Sequence, residues 1–113
     1  MQFRRIVRQN LYVGRRETAE RQGRIELELM EERAAALRRI SETLESLIEQ
    51  LQALRGRIGD VHWSSPAPEV TEYREVRRRA VRYRWYLEVQ RESVGLRRHD
   101  TLDAIYPVPP ALR

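Results

Sequence analysis

Apolar residues recur at alternating steps of three and four along the first half of the chain. The series, interrupted only by Arg33, comprises Met30, Leu37, Ile40, Leu44, Leu47, Leu51, Leu54 and Ile58. A mean spacing of about 3.5 residues places these side chains on one side of a helix, as in coiled coils and helical bundles. No proline precedes Pro66. One helix over about residues 18–57 is therefore predicted, with Gly56 and Gly59 ending it.

The same spacing returns after a loop at 58–68 that is rich in glycine, serine and proline. It predicts a second helix over about 69–97, with a seam formed by Tyr73, Val76, Ala80, Tyr83, Leu87, Gln90 and Val94. Ser65 before Pro66 is a candidate helix start, and Trp63 is expected to pack over the helix ends or else to stack on a base. Two helices of matched period joined by a short loop favour an antiparallel pair. The predicted fold class is all-α, a long helical hairpin with a coiled-coil-like seam.

The two ends of the chain differ from this hairpin, which we place at 17–98. Residues 1–16 predict a basic N-terminal arm or short helix ending near Gly14. This segment could dock on the hairpin or become ordered on a phosphate backbone. Residues 99–113 predict an extended, Pro-rich C-terminal tail, because three prolines in four residues favour polyproline II. We expect this tail to lie along a neighbouring surface.

Composition excludes several classes of function. The 113 residues include no cysteine, so disulfides, thiolate metal sites and cysteine nucleophiles are ruled out. His62 and His99 lack the spacing of metal ligands, and no Gly-rich phosphate loop or catalytic motif occurs. We therefore predict no enzymatic activity, no cofactor and no metal. No apolar run approaches the roughly 18 residues of a membrane span, which indicates a protein of the cytoplasm or of a particle assembled there.

The basic residues are unusual in kind and in distribution. All 22 are arginine, which reflects either GC-rich coding or a thermophilic host, or else selection for bidentate phosphate contacts. Residues 1–24 carry seven Arg and two Glu, residues 25–54 three Arg and seven Glu, and residues 55–99 eleven Arg and six acidic residues. Two basic blocks thus flank an acidic one. Such segregation suits both self-assembly and the binding of a polyanion.

The predicted second helix carries arginine and large apolar residues on the side opposite its seam. That side holds Arg74, Arg78, Val81, Arg82, Trp85 and Val89, and a row between the two sides holds Arg77, Arg84 and Arg91. The mixture fits phosphate contacts with aromatic stacking, a protein interface, or a solvated face. The predicted nucleic-acid-binding residues are Arg4, Arg5, Arg8, Arg15, Arg16, Arg74, Arg77, Arg78, Arg82, Arg84 and Trp85.

The layout resembles the small α-helical capsid proteins of filamentous and rod-shaped archaeal viruses. The shared features are a basic N-terminal segment, a helical hairpin with Arg-rich faces such as TEYREVRRRAVRYRWYLEV, an extended tail and the lack of cysteine. The resemblance implies helical subunits, often paired with a copy or a paralogue, that wrap double-stranded DNA inside a virion. It also implies basic helices lining the DNA cavity.

Three functions remain open from the sequence. The first is a structural nucleic-acid-packaging protein, such as a viral capsid or nucleocapsid subunit, that binds the phosphate backbone non-specifically. The second is a coiled-coil assembly protein of a virion or secretion apparatus, whose Arg face meets acidic protein. The third is a small regulator that binds an enzyme or a ribosome. Arginine binds the phosphates of DNA and RNA alike, so the sequence does not separate the two.

Overall fold

The chain folds into helices joined by short loops. The computed structural model describes the backbone of residues 2–113 and the side chains of residues 14–113. Helix α1 spans Gln2–Ile58, α2 spans Pro68–Ser93 and α3 spans Leu102–Ile105, and this described part contains no strand. The predicted all-α fold with a helical hairpin is confirmed. The chain divides into two compact units, residues 1–34 and residues 35–113.

The hydrophobic core lies in the second unit, between the C-terminal part of α1 and α2. It follows the predicted seam, because Leu44, Leu47, Leu51 and Leu54 are at most 2% exposed. From α2 it takes Val70, Tyr73, Val76, Ala80 and Leu87, and from α3 it takes Leu102. Removing these side chains from water is what holds the two helices together.

Helix α1 differs from the prediction at its start. The helix was expected to begin near residue 18, after a separate arm ending near Gly14, but α1 continues through Gly14 and Gly23. A glycine inside a helix costs only about 1 kcal/mol relative to alanine, and no proline is present to break the helix. The end of α1 agrees with the prediction at Gly59, whose φ is +65°. Its N–H donates to the Arg55 carbonyl at 3.0 Å, which is the αL type of helix cap.

Helix α2 begins slightly before the predicted residue 69 and ends before the predicted residue 97. It begins at Pro68, and Ser65 lies in the preceding turn, where its hydroxyl accepts the N–H of Ala67 at 3.3 Å. It ends at Ser93 because Gly95 adopts a φ of +91°. The Gly95 N–H donates to the Glu92 carbonyl and the Leu96 N–H to the Arg91 carbonyl. These two bonds form a Schellman motif, which satisfies carbonyls that the helix leaves unpaired.

The C-terminal segment packs against the hairpin of its own chain. Tyr106, Val108 and Leu112 are half-buried on the core. The Tyr73 hydroxyl donates to the Pro110 carbonyl at 2.7 Å, and the Trp63 N–H donates to the Arg113 carbonyl at 3.1 Å. The surface along which the tail lies is therefore the hairpin itself, and the tail is part of the folded unit.

Replacing Tyr73 with Phe tests how much the tail contributes to stability. The Tyr73 side chain is fully buried, so the substitution keeps the ring and leaves the Pro110 carbonyl without its donor. We expect the free energy of unfolding to fall by about 1–2 kcal/mol, measured by urea denaturation. Tyr86→Phe is the control, because Tyr86 is exposed and its loss of a hydroxyl should change stability by less than about 0.5 kcal/mol. Equal effects of the two substitutions would contradict a stabilising Tyr73–Pro110 bond.

Candidate nucleic-acid interface

Helix α2 buries one side and exposes the other. Its core residues lie opposite a set of residues that are all exposed, which we call the exposed α2 face: Arg74, Arg78, Val81, Arg82, Trp85 and Val89. Steps of three and four residues keep these side chains on one side of the helix. Because the opposite side is packed into the core, this face is held in a fixed orientation.

The row at seven-residue spacing, Arg77, Arg84 and Arg91, makes contacts within the chain. Arg77 Nε donates to the Pro109 carbonyl at 3.0 Å, and an Arg91 terminal nitrogen donates to the Arg98 carbonyl at 2.9 Å. All three residues are half-buried. They lie where α2 meets the C-terminal segment, and their hydrogen bonds hold that segment against the helix.

Arg84 is the most completely engaged member of this row. Its Nη1 contacts a Glu88 carboxylate oxygen at 2.7 Å, while its Nε and Nη2 donate to Asp103 Oδ1 at 3.3 and 3.1 Å. Its side chain is only 14% exposed. Arg77 and Arg84, both predicted to bind nucleic acid, are thus occupied by partners within the chain. The sequence could not reveal this, because the partners of Arg77 and Arg84 in α3 and the tail become neighbours only in the folded unit.

Arg74 belongs to the exposed α2 face but is anchored to the loop before the helix. One of its terminal nitrogens donates to the Trp63 carbonyl at 2.8 Å, and its guanidinium carbon lies 5.8 Å from the centre of the Trp63 ring. Trp63 itself remains about half exposed. Trp63 is therefore held by the chain's own cation–π contact.

Arg78 and Arg82 are the arginines of this face that are most available to an external partner. Arg78 pairs with Glu75 at 3.0 Å, but both side chains are about 60% exposed, and exposed pairs of this kind contribute little. Within residues 14–113, Arg82 forms no ion pair and no side-chain hydrogen bond. Both guanidinium groups can therefore reorient towards an anion at low cost.

Large apolar groups lie beside these arginines. Trp85 is 58% exposed, and Val81 and Val89 are also exposed. The Trp85 ring lies 5.6 Å from that of Tyr86, which contacts Tyr83 edge-on at 5.4 Å. The aromatic cluster supports Trp85 from one side and leaves much of it open to solvent. A ring in this position can stack on a base or pack against a protein partner.

A cleft adjoins the exposed α2 face at its N-terminal end. Its volume is about 410 Å³, and it lies between α2, the preceding loop and the tail, lined by Trp63, Tyr73, Arg74, Arg77, Arg78, Val81, Ala111 and Leu112. The lining is largely apolar, with three arginines among its residues. The cleft shares Arg74, Arg78 and Val81 with the exposed α2 face.

The N-terminal arginines belong to the other unit. Arg4, Arg5 and Arg8 lie outside the residues whose side chains the structure describes. Arg15 and Arg16 are exposed, and Arg16 pairs with Glu20 at 3.3 Å. Both lie on the surface of α1, and their contact with phosphate stays a prediction.

No helix among the described residues has both the length and the apolar character needed to cross a membrane.

Comparisons with known proteins add no relative to this picture. No protein-family model matches the chain, and neither a curated protein nor a solved structure is significantly similar to it.

Proposed function

We propose that this protein is a structural nucleic-acid-packaging subunit, most concretely of a viral capsid or nucleocapsid. It binds the phosphate backbone without reading bases, and it performs no catalysis. It acts in the virion, or in the cytoplasm before assembly, on double-stranded DNA and together with other copies or a paralogue. The observation that carries this proposal is the exposed α2 face, on which Arg78 and Arg82 stand next to Trp85.

The charge and geometry of this face favour a polyanion. Arginine donates in a planar fork that fits phosphate oxygens, so less side-chain freedom is lost for each hydrogen bond formed. Trp85 adds a flat apolar surface that contacts sugars or bases irrespective of sequence. A face intended only for water would carry mixed charges and few large apolar groups.

Titration with nucleic acid at two salt concentrations tests the proposal. We expect duplex DNA and duplex RNA to bind at low salt with similar affinity, since phosphate contacts do not distinguish them. If about three or four phosphates are neutralised, affinity should fall on the order of 10²-fold between about 50 and 200 mM salt. Fluorescence anisotropy of labelled duplexes measures the binding, and electron microscopy shows whether filaments form. Absence of binding to either duplex at low salt would overturn the proposal.

A coiled-coil assembly protein of a virion or secretion apparatus is the second candidate. It is favoured by the exposed Val81, Trp85 and Val89, because tryptophan and arginine are enriched in protein interfaces and their energetic centres. In that case the same face would meet an acidic protein surface. Binding to nucleic acid would then be absent, while association with a protein partner would require Trp85.

A further inference from the structure

The N-terminal unit has an apolar surface that nothing in the described chain covers. Every side chain from residue 14 to residue 34 is exposed, including Leu27 at 56% and Met30 at 66%. These two share one side of α1 with small residues, and we call this set the 19–34 stripe: Ala19, Gly23, Leu27, Met30 and Ala34. Small residues beside large ones allow another helix to approach closely.

The same helix segment carries charge of opposite sign in its two halves. Residues 14–24 contain four Arg and two Glu, net +2, whereas residues 25–34 contain four Glu and one Arg, net −3. If a second identical helix lies antiparallel, the basic half of each copy faces the acidic half of the other. If it lies parallel, like charges face each other along the whole segment, which is unfavourable.

We infer that residues 14–34 of α1 form an antiparallel interface with the same segment of a second copy. The interface buries the 19–34 stripe and pairs the basic half with the acidic half twice, as a two-fold symmetric contact requires. Ile25 and Leu29, exposed on the opposite side of the helix, allow two such pairs to associate. The expected species in solution contains two or four chains.

Nucleic acid is a poorer occupant of this surface. Residues 14–34 carry a net charge of −1, and the four glutamates of the acidic half would repel phosphates along half of the segment. The apolar stripe also offers phosphates no hydrogen-bond donors. The association therefore does not rest on the proposed function, and it is measured in the absence of nucleic acid.

Charge reversal in one half tests both the surface and the orientation. Sedimentation of the full chain should give two or four chains at micromolar concentrations. Arg16→Glu with Arg24→Glu makes both halves acidic, and Glu26→Arg with Glu31→Arg makes both basic. These four residues lie on or beside the side of the helix that carries the 19–34 stripe. Each double variant should associate at least about tenfold more weakly than the unmodified chain. Mixing the two should restore association, because an acidic segment then meets a basic one.

The fourfold variant with all four reversals provides the decisive comparison. It exchanges the signs of the two halves, so an antiparallel pair should recover the association of the unmodified chain. The control is Arg97→Glu with Arg98→Glu, which changes the net charge by the same amount as the acidic double variant, at exposed positions outside the segment, and should leave association unchanged. A monomeric unmodified chain, double variants that associate like the control, or a fourfold variant that remains weak would each overturn the inference. Binding of the unmodified chain to DNA is measured in the separate titration described above, so either proposal can fail without the other.

Discussion

The Leu51→Ala variant is expected to lose about 2–5 kcal/mol of its free energy of unfolding. Leu51 is completely buried and lies midway along the part of α1 that α2 covers. The substitution removes three carbon atoms from the core and leaves a cavity, because helices packed on both sides cannot collapse fully into the gap. Because domains are stable by only about 5–15 kcal/mol, this loss should lower the urea concentration at the midpoint of unfolding by a large fraction.

Urea denaturation followed by circular dichroism measures the effect of Leu51→Ala. Leu96→Ala is the matched control, because the same atoms are removed from a residue of the same unit that is about half exposed. The control should lose less than about 1 kcal/mol. Equal losses at the two positions would contradict the hairpin core described above, whereas complete unfolding of Leu51→Ala alone would agree with it.

The core of the hairpin was predictable because periodicity reports burial directly. The seam residues from Leu44 to Ile58 are buried as predicted. Met30, which the seam also included, lies in the other compact unit and is 66% exposed. The seam period alone contains no information on the length of the partner helix. The predicted seam also omits Ile48, which follows Leu47 and is buried as well. The core therefore includes residues beside the seam.

Helix ends were less predictable than helix cores. Val94 was placed on the seam of α2 but is exposed, because the helix ends at Ser93. Gly95 was the available signal, since glycine after a run of helical residues favours the left-handed conformation of a C-cap. The pattern of steps of three and four continues to Val94, past the end of the helix, and it obscured that signal.

The candidate site was predictable as a face but not residue by residue. Steps of three and four placed Arg78, Arg82 and Trp85 together, and the structure exposes all three. Arg77 and Arg84 were assigned to the same function because sequence shows charge without showing what pairs with it. Glu88, four residues from Arg84, is a pair that the sequence could suggest, but the other partners, Pro109 and Asp103, lie 32 and 19 residues away. Contacts over such separations depend on tertiary packing, which a helical wheel does not contain.

The variant Arg78→Glu with Arg82→Glu is expected to bind duplex DNA on the order of 10²-fold more weakly at low salt. Two phosphate contacts are removed and two negative charges are placed against the backbone. The slope of the logarithm of affinity against the logarithm of salt concentration should fall by about 2. Helicity and thermal stability should be retained, because both side chains are exposed and their ion pairing is limited to one surface pair.

Arg38→Glu with Arg39→Glu is the matched control for this variant. These arginines are also exposed and their reversal changes the net charge by the same amount, but they lie on α1 away from the exposed α2 face. The control should retain most of the affinity and nearly the whole salt slope. If both double variants lose affinity equally, binding follows net charge and not this face. If Arg78→Glu with Arg82→Glu keeps its DNA affinity but changes its oligomeric state, the face contacts protein, and the assembly role without nucleic acid becomes the better account.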